Sequence, residues 1–413
     1  MKAALTPLRH RPFRRLVAAR TITVLGNAMA PIALAFAVLD LTGSAATLGL
    51  VVGVRSVANV AFLLVGGVIA DRFPRQRVLV WSSVGSGLSQ AAVATLVLTG
   101  TARIPMLLVL GAVNGALSAL ALPASAAMTP QTIPTDVRQQ ANALLRLATN
   151  GVMILGAAAG GGLVAAIGPG WGLAVDAGSF LISAAVFATL RVAPAAAKAA
   201  KAARASLLAD LRDGWGEFTA RAWVWVVVVA FMLINMASSG SQQILGPLVA
   251  DSSFGRGGWG LVLASQTAGM LVGGVIALRW RPRRPLVSGL LWVLPSAAFL
   301  AALGTAPHLG LLIATGLLTG IGVEQFVVAW ETSLQQHIPP DRLARVYSYD
   351  MLGSLLALPA GQIAIGPIAA LLGTTSTLLA AAGVILISTL AAVATPSVRA
   401  LRRQPLIPMS VSR

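Results

Sequence analysis

Between Arg20 and Pro396 the chain consists almost entirely of apolar runs about as long as a membrane-crossing helix, joined by short connections. About 20 mostly apolar residues in a helix cross the hydrocarbon core of a bilayer, and inside that core a helix satisfies all of its own backbone groups. Twelve such spans are expected, near residues 17–39, 47–70, 77–99, 104–127, 141–167, 171–190, 222–249, 258–279, 285–304, 308–332, 346–372 and 375–395. The composition agrees: 57% of residues are hydrophobic, 10% are charged and the mean hydropathy is +0.83, against about 25% charged residues in soluble domains. The fold class is therefore an all-α, polytopic membrane protein. The run after Arg20 is too long for a signal peptide and contains Asn27 and Pro31, so it reads as an uncleaved first span.

A formal charge of +18 would suggest nucleic-acid binding in a soluble chain. Here its placement gives a different meaning. When the spans are threaded alternately, 27 of the 30 basic residues fall on one side. Only Arg103 and Arg256 lie opposite, and Arg55 falls within a span. By the positive-inside rule both termini are cytoplasmic, which places a multi-pass protein in the cell (inner or plasma) membrane. The charge sets orientation, and no nucleic-acid partner is needed.

Two repeats divide the chain. The stretch GGVIADRFPRQRVLV at 66–80 returns as GGVIALRWRPRRPLV at 273–287, an offset of 207 residues. Gln131, Ile133, Pro134 and Asp136 return as Gln336, Ile338, Pro339 and Asp341, an offset of 205. Two echoes at half the chain length predict six plus six helices in parallel duplication. The expected units are a first bundle at 1–190, a cytoplasmic linker at 191–221, a second bundle at 222–396 and a basic cytoplasmic tail at 397–413. Within the linker Leu207, Leu208, Leu211, Trp215 and Phe218 recur at helical spacing. They predict an amphipathic helix, either lying on the membrane surface or packed beneath the bundle.

The loop at 66–77 resembles the signature of the major facilitator superfamily, G-x-x-x-D-R-x-G-R-x-R. Gly67, Asp71, Arg72, Arg75 and Arg77 take its positions, and Pro74 stands where glycine is usual. Within that superfamily the chain is similar to the third drug:proton antiporter group, of macrolide-efflux and enterobactin-exporter type. The similarity rests on FRRLVAARTITVLGNAMAPIALAFAVLDLTGSA, VDAGSFLISA and AWETSLQQHIPPDRLARVYSYDMLGS. It implies twelve helices in two bundles and efflux by alternating access. It further implies a central cavity lined by the first, fourth, seventh and tenth spans, and a signature aspartate, Asp71, that braces the inner gate against the eleventh. The second copy has Leu278 in place of Asp71.

Acidic residues can be sorted by elimination. Of twelve, eight fall in loops or at span boundaries, leaving Asp176, Glu324, Glu331 and Asp350. A carboxylate at the bilayer centre costs roughly 2.5–3.5 kcal/mol, so one kept there has a partner or a duty. Glu324, roughly 24 Å into its span at 1.5 Å per residue, is the first candidate proton carrier and Asp176 the second. The other reading of Glu324 is a carboxylate that pins helices by hydrogen bonds. Glu331 shares its helical face seven residues on and reads as structural or gate-forming. Arg55 and Asp176, both about 8–12 Å below the outer surface, are expected to form an ion pair. Asp350, at the inner start of its span, is expected to cap the helix or serve a gate. Asn27, Asn114, Asn235 and Gln266 are candidates for facing a substrate cavity, the alternative being that they join helices. The glycines at 156, 160, 161 and 162 resemble an antiporter motif, with Ala157 in place of its proline.

Other chemistry is excluded by inventory. Cysteine is absent, no metal-ligand spacing occurs and no cofactor is implied. Neither H-E-x-x-H nor G-x-S-x-G is present, so the chain is not read as an enzyme. Without G-x-x-x-x-G-K-[ST], ATP is not the direct energy source. The expected function is export of an amphiphilic small molecule (drug, antibiotic or siderophore-like metabolite) in exchange for protons, by a monomer in the lipid bilayer. A lysolipid flippase or other non-drug transporter is the alternative. A cavity with few charges suits an apolar or weakly basic compound.

Overall fold

Residues 3–134, 137–190, 216 and 219–402 are described by a computed structural model. The expected amphipathic helix at 207–218, apart from Gly216, and the tail beyond 402 lie outside the described residues. A 3₁₀ turn at Ala3–Arg9 leads into α1 (Arg11–Thr42), α2 (Ala45–Arg72), α3 (Arg75–Leu98), α4 (Ile104–Thr132), α5 (Arg138–Ile167) and α6 (Pro169–Ala188). The second series is α7 (Ala222–Gly240), α8 (Gly246–Ser252), α9 (Arg256–Arg279), α10 (Pro285–Leu291), α11 (Leu294–Thr305), α12 (Leu309–His337), α13 (Pro340–Leu372), α14 (Thr374–Ala394) and the short α15 (Pro396–Ala400).

Eleven of the expected spans are long and apolar enough to cross a membrane. The remaining one, α3, has 24 residues and the requisite length, but Ser82, Ser83, Ser86, Ser89 and Gln90 lower its hydropathy. Two spans are broken where the sequence suggested continuity. Between α7 and α8 the backbone widens into a π-turn at Ser241–Leu245. Pro247 follows it and has no N–H to offer the carbonyl of Gln243, four residues back, so the regular ladder cannot continue. The ninth span likewise divides into α10 and α11 around Trp292 and Val293, where Pro295 withholds its N–H from Leu291.

Packing groups the helices in two sets. In the first, α2 lies on α4, α3 on α4 and α6, and α1 on α5 and α6. In the second, α9 lies on α12, α7 on α13 and α14, and α11 on α12 and α14. The duplication is visible at the α2/α4 and α9/α12 crossings. A Cβ on Gly115 would stand 2.1 Å from the Arg55 carbonyl oxygen, and one on Gly320 would stand 1.9 Å from that of Gln266. Only glycine admits such an approach of two helix backbones.

These crossings also correct the repeat register. From α4 to α12 the offset is 205, as the Gln-x-Ile-Pro-x-Asp echo has it, but from α2 to α9 the crossing residues are 211 apart rather than 207. The cause is length: α2 has 28 residues and α9 has 24, so α9 reaches its GGVIA one turn sooner. Arg55 is thereby equivalent to Gln266, and Asn114 to Thr319.

The sets meet through α2 with α13 and α5 with α9, at the end of the bundle opposite the termini. Gly49 and Gly53 abut Gln362 and Ile363 there, Gly366 abuts Ala45 and Ala46, and Gly161 abuts Gly260. At the same end Arg256 of α9 donates to Asp40 at the end of α1, at 2.5 and 2.9 Å, and to Asp251 of α8 at 2.7 Å. Its guanidinium also lies 4.9 Å over the Phe36 ring.

Candidate substrate cavity

A cavity of about 710 Å³ lies against the first helix set and is roofed by the second. Its α1 wall is Arg20, Thr23, Asn27, Pro31 and Leu34, spaced at three and four residues and so on one helical face. From α3 come Ser82, Ser83, Ser86 and Gln90, and from α4 Ser118 and Ser125. Arg55 enters from α2, while Phe180 and Phe187 of α6 supply apolar surface. The roof is Gln242 and Gln243 of the π-turn, Pro247 and Trp259. The π-turn is held by Gln362 of α13, whose Nε2 donates to Gln243 Oε1 at 3.1 Å. Cavity and closure therefore share one irregular element.

Behind the first-half wall lies a buried polar network. Asp176, 1% exposed, accepts a hydrogen bond on Oδ2 from Gln90 Nε2 at 2.6 Å. The carboxylate sits over Gly26 of α1, where a Cβ would collide with both it and Ser179 Oγ. Arg55 Nε donates to Asn114 Oδ1 at 3.0 Å. The expected ion pair is thus replaced by two amide contacts. Gln90 and the Gly26 notch turn Asp176 toward α1 and α3, while Asn114 fixes Arg55 on the α2/α4 side. Guanidinium and carboxylate remain within electrostatic reach.

The other acids are elsewhere. Glu324, half-buried on α12, packs against Gly273 and Gly274 of the GGVIA echo, and Arg146 of α5 and Glu331 lie within electrostatic reach. It does not line the cavity, nor does exposed Glu331. Beside Glu324, Gln325 Nε2 donates to the Gly273 carbonyl at 2.6 Å. Asp350 stands ten residues beyond Pro340, where α13 begins. It is therefore too far along the helix for the end-dipole role, which fades within a turn. Instead it accepts from Trp330 Nε1 at 2.9 Å. Trp330 continues an aromatic column in which Phe231 and Phe326 stack with centroids 3.6 Å apart.

Of the four amide candidates, Asn27 lines the cavity and Asn114 stands behind it holding Arg55. Asn235 and Gln266 do neither, and Gln266 Nε2 is buried without a partner. In the signature loop the side chains of Gly67, Asp71 and Arg72 lie outside the described residues. Arg75 opens α3 and Arg77 is exposed. The intervening Gln76 ties the loop to α6, donating to the carbonyls of Phe187 and Ala188 at 3.0 and 3.1 Å.

Sequence reasoning passed over Arg20, Gln90, Gln242, Gln243 and Trp259. Arg20 follows a run of basic residues that accounts for its charge by orientation alone, although Arg20, Thr23, Asn27 and Pro31 mark a polar face on an apolar helix.

Comparison with known proteins agrees with this architecture. Residues 16–265 match the family model described as Major Facilitator Superfamily. The enterobactin exporter EntS of Shigella boydii serotype 18 is 26% identical over 243 residues, 59% of this chain and 57% of that protein. That of Escherichia coli O1:K1 / APEC gives the same figures. The chain thus matches little more than half the length of these relatives. Among solved structures, a bacterial homolog of the human lysosomal transporter Spinster, inward-facing and unoccupied, superposes with a TM-score of 0.76 at 14% identity, covering 97% of this chain and 99% of that one. The nucleoside transporter NupG gives 0.74 at 14%, covering 92% and 98%. At these identities the likeness shows the fold alone.

Proposed function

The chain belongs to the Major Facilitator Superfamily, and from that premise we propose that it is a secondary active exporter of an amphiphilic small molecule, working by alternating access in exchange for protons. One observation carries the reading. A cavity large enough for a drug-sized molecule lies where two duplicated helix sets meet, and among the described residues the close contacts between the sets gather at the end opposite the termini, where a rocking motion can exchange them. The positive-inside distribution supports reading that end as the external face and the arrangement as a cytoplasm-facing stage of the cycle. Similarity to proteins named as enterobactin exporters supports the outward direction and a siderophore-like cargo.

Glu324 is the proton carrier in this reading. It belongs to the second set, and a cation of the first, Arg146, lies within its electrostatic reach. Rocking the sets changes that distance and with it the affinity of Glu324 for a proton, which couples protonation to the cycle. Asp71 serves the inner gate. The test is proton movement in proteoliposomes driven by a substrate gradient. Wild type is expected to move protons against substrate and Glu324→Gln to bind substrate without moving them. Substrate flux with no accompanying proton movement in wild type would exclude exchange.

A further inference from the structure

Among the described residues the charges of the cavity are of one sign: Arg20 and Arg55 line it, and no carboxylate does. Among the described residues Arg20 has no hydrogen-bond or ion-pair partner, and Arg55 uses only its Nε, on Asn114, leaving both terminal amino groups uncommitted. The acid associated with Arg55, Asp176, is buried behind the wall and spends one oxygen on Gln90. Hydroxyls of Thr23, Ser82, Ser83 and Ser86 lie along the same walls, and Phe180, Phe187 and Trp259 provide faces for an aromatic or aliphatic body.

The Arg20 guanidinium and the two terminal amino groups of Arg55, with the hydroxyls of Ser83 and Ser86 on the same wall, form a receptor for negative charge, whereas Thr23 and Ser82 spend their hydroxyl protons on the carbonyls of Ala19 and Leu79. A cation placed there would meet two like charges at reduced dielectric and be repelled. We propose that the transported molecule is an organic anion, a carboxylate, sulfonate or acidic phenolate carried on an aromatic or lipophilic body, and that Arg20 and Arg55 determine this preference. The inference rests on the exporter reading and sharpens it, replacing the apolar or weakly basic cargo that the sparse charge of the spans suggests. Asp176 then acts as a positioning residue: its charge, facing Arg55 from behind, opposes the incoming anion and keeps its binding reversible.

The experiment uses two xanthene dyes of similar size and opposite charge, fluorescein as anion and tetramethylrhodamine ethyl ester as cation. Their binding to the full chain in lipid nanodiscs is followed by fluorescence anisotropy. Fluorescein is expected to bind at least tenfold tighter than the rhodamine ester. Arg20→Gln and Arg55→Gln are each expected to weaken fluorescein on the order of tenfold, with Arg55→Lys retaining most of the affinity. Asp176→Asn is expected to tighten it several-fold while weakening the rhodamine ester, an opposite response of the two dyes that a purely structural aspartate would not give. Equal or tighter binding of the cation, binding of neither dye, or fluorescein affinity indifferent to both arginines in variants with wild-type thermal stability would overturn the proposal. Nanodisc binding requires no transport. Anion selectivity without flux in proteoliposomes would therefore count against the exporter reading alone, and flux that prefers the rhodamine ester would count against the anion proposal alone.

Discussion

The two halves of the molecule share a scaffold and differ in what it carries. At the α2/α4 crossing, Gly115 of α4 sits over Arg55, and Asn114 holds that arginine. At the equivalent α9/α12 crossing, Gly320 sits over Gln266, and the residue in the Asn114 position is Thr319. There the side chains make nothing of one another: Gln266 Nε2 and Thr319 Oγ1 are both buried without a partner. The first half adds Gln90 and Asp176 behind the cavity, whereas the second fills its interior with the Phe231–Phe326–Trp330 column. Duplication fixed where helices may touch; in the proposed reading, divergence made the first half the recognition wall and the second the roof and lever.

If the glycine crossings are the common scaffold, breaking either should do equal damage. Gly115→Val and Gly320→Val each force a side chain onto a backbone carbonyl and should cost on the order of 3 kcal/mol, read as loss of folded protein by fluorescence-detected size exclusion. Unequal losses would mean that the repeat is not equally strained in its two copies.

The polar positions should respond in opposite directions. Gln90→Leu leaves the Asp176 carboxylate buried without its donor and should destabilise by about 1–3 kcal/mol. In the second half Gln266→Leu and Thr319→Val remove atoms that already lack partners, so thermal unfolding should stay level or rise by up to about 1 kcal/mol. Destabilisation by the second pair would show that those atoms are satisfied in the membrane and would erase the contrast.

Scaffold features were the more legible in the sequence. Helical spans follow from the length of apolar runs, and duplication from two echoes, because both are written in many residues at once. The site was legible only in part. Arg55, Asn27, Asn114 and Asp176 stand out as polar residues in apolar surroundings, yet their pairing depends on Gly26, which carries no such signal, and on Gln90, whose amide is one of several polar side chains along α3. Arg20 was hidden by its place in a basic segment, which explained its charge without explaining its facing. The breaks at Pro247 and Pro295 were visible as prolines, but many spans here keep theirs, among them Pro31 in α1 and Pro123 in α4. Neighbouring helices and local adjustments can re-satisfy the freed carbonyls, so sequence alone does not say which proline breaks its helix.

A smaller effect is expected at the bridge between halves. Arg256→Ala removes the contact to Asp40 between the sets together with that to Asp251 within the second, and a partly exposed bridge of this kind is worth roughly 1 kcal/mol. The chain has no cysteine, so a single cysteine in place of Gln243 reports accessibility against a silent background. Labelling of that cysteine by an impermeant maleimide, from the face opposite the termini, should quicken about fivefold in the Arg256→Ala background. An unchanged rate would mean that this bridge does not hold the face closed.

The central claim is that one half recognises and the other closes, and the equivalent pair Arg55 and Gln266 tests it most directly. Fluorescein affinity in nanodiscs should fall on the order of tenfold in Arg55→Gln and stay within about twofold of wild type in Gln266→Leu, the substitution at the matching position of the other half. Equal losses from both, or a loss confined to Gln266→Leu, would contradict it.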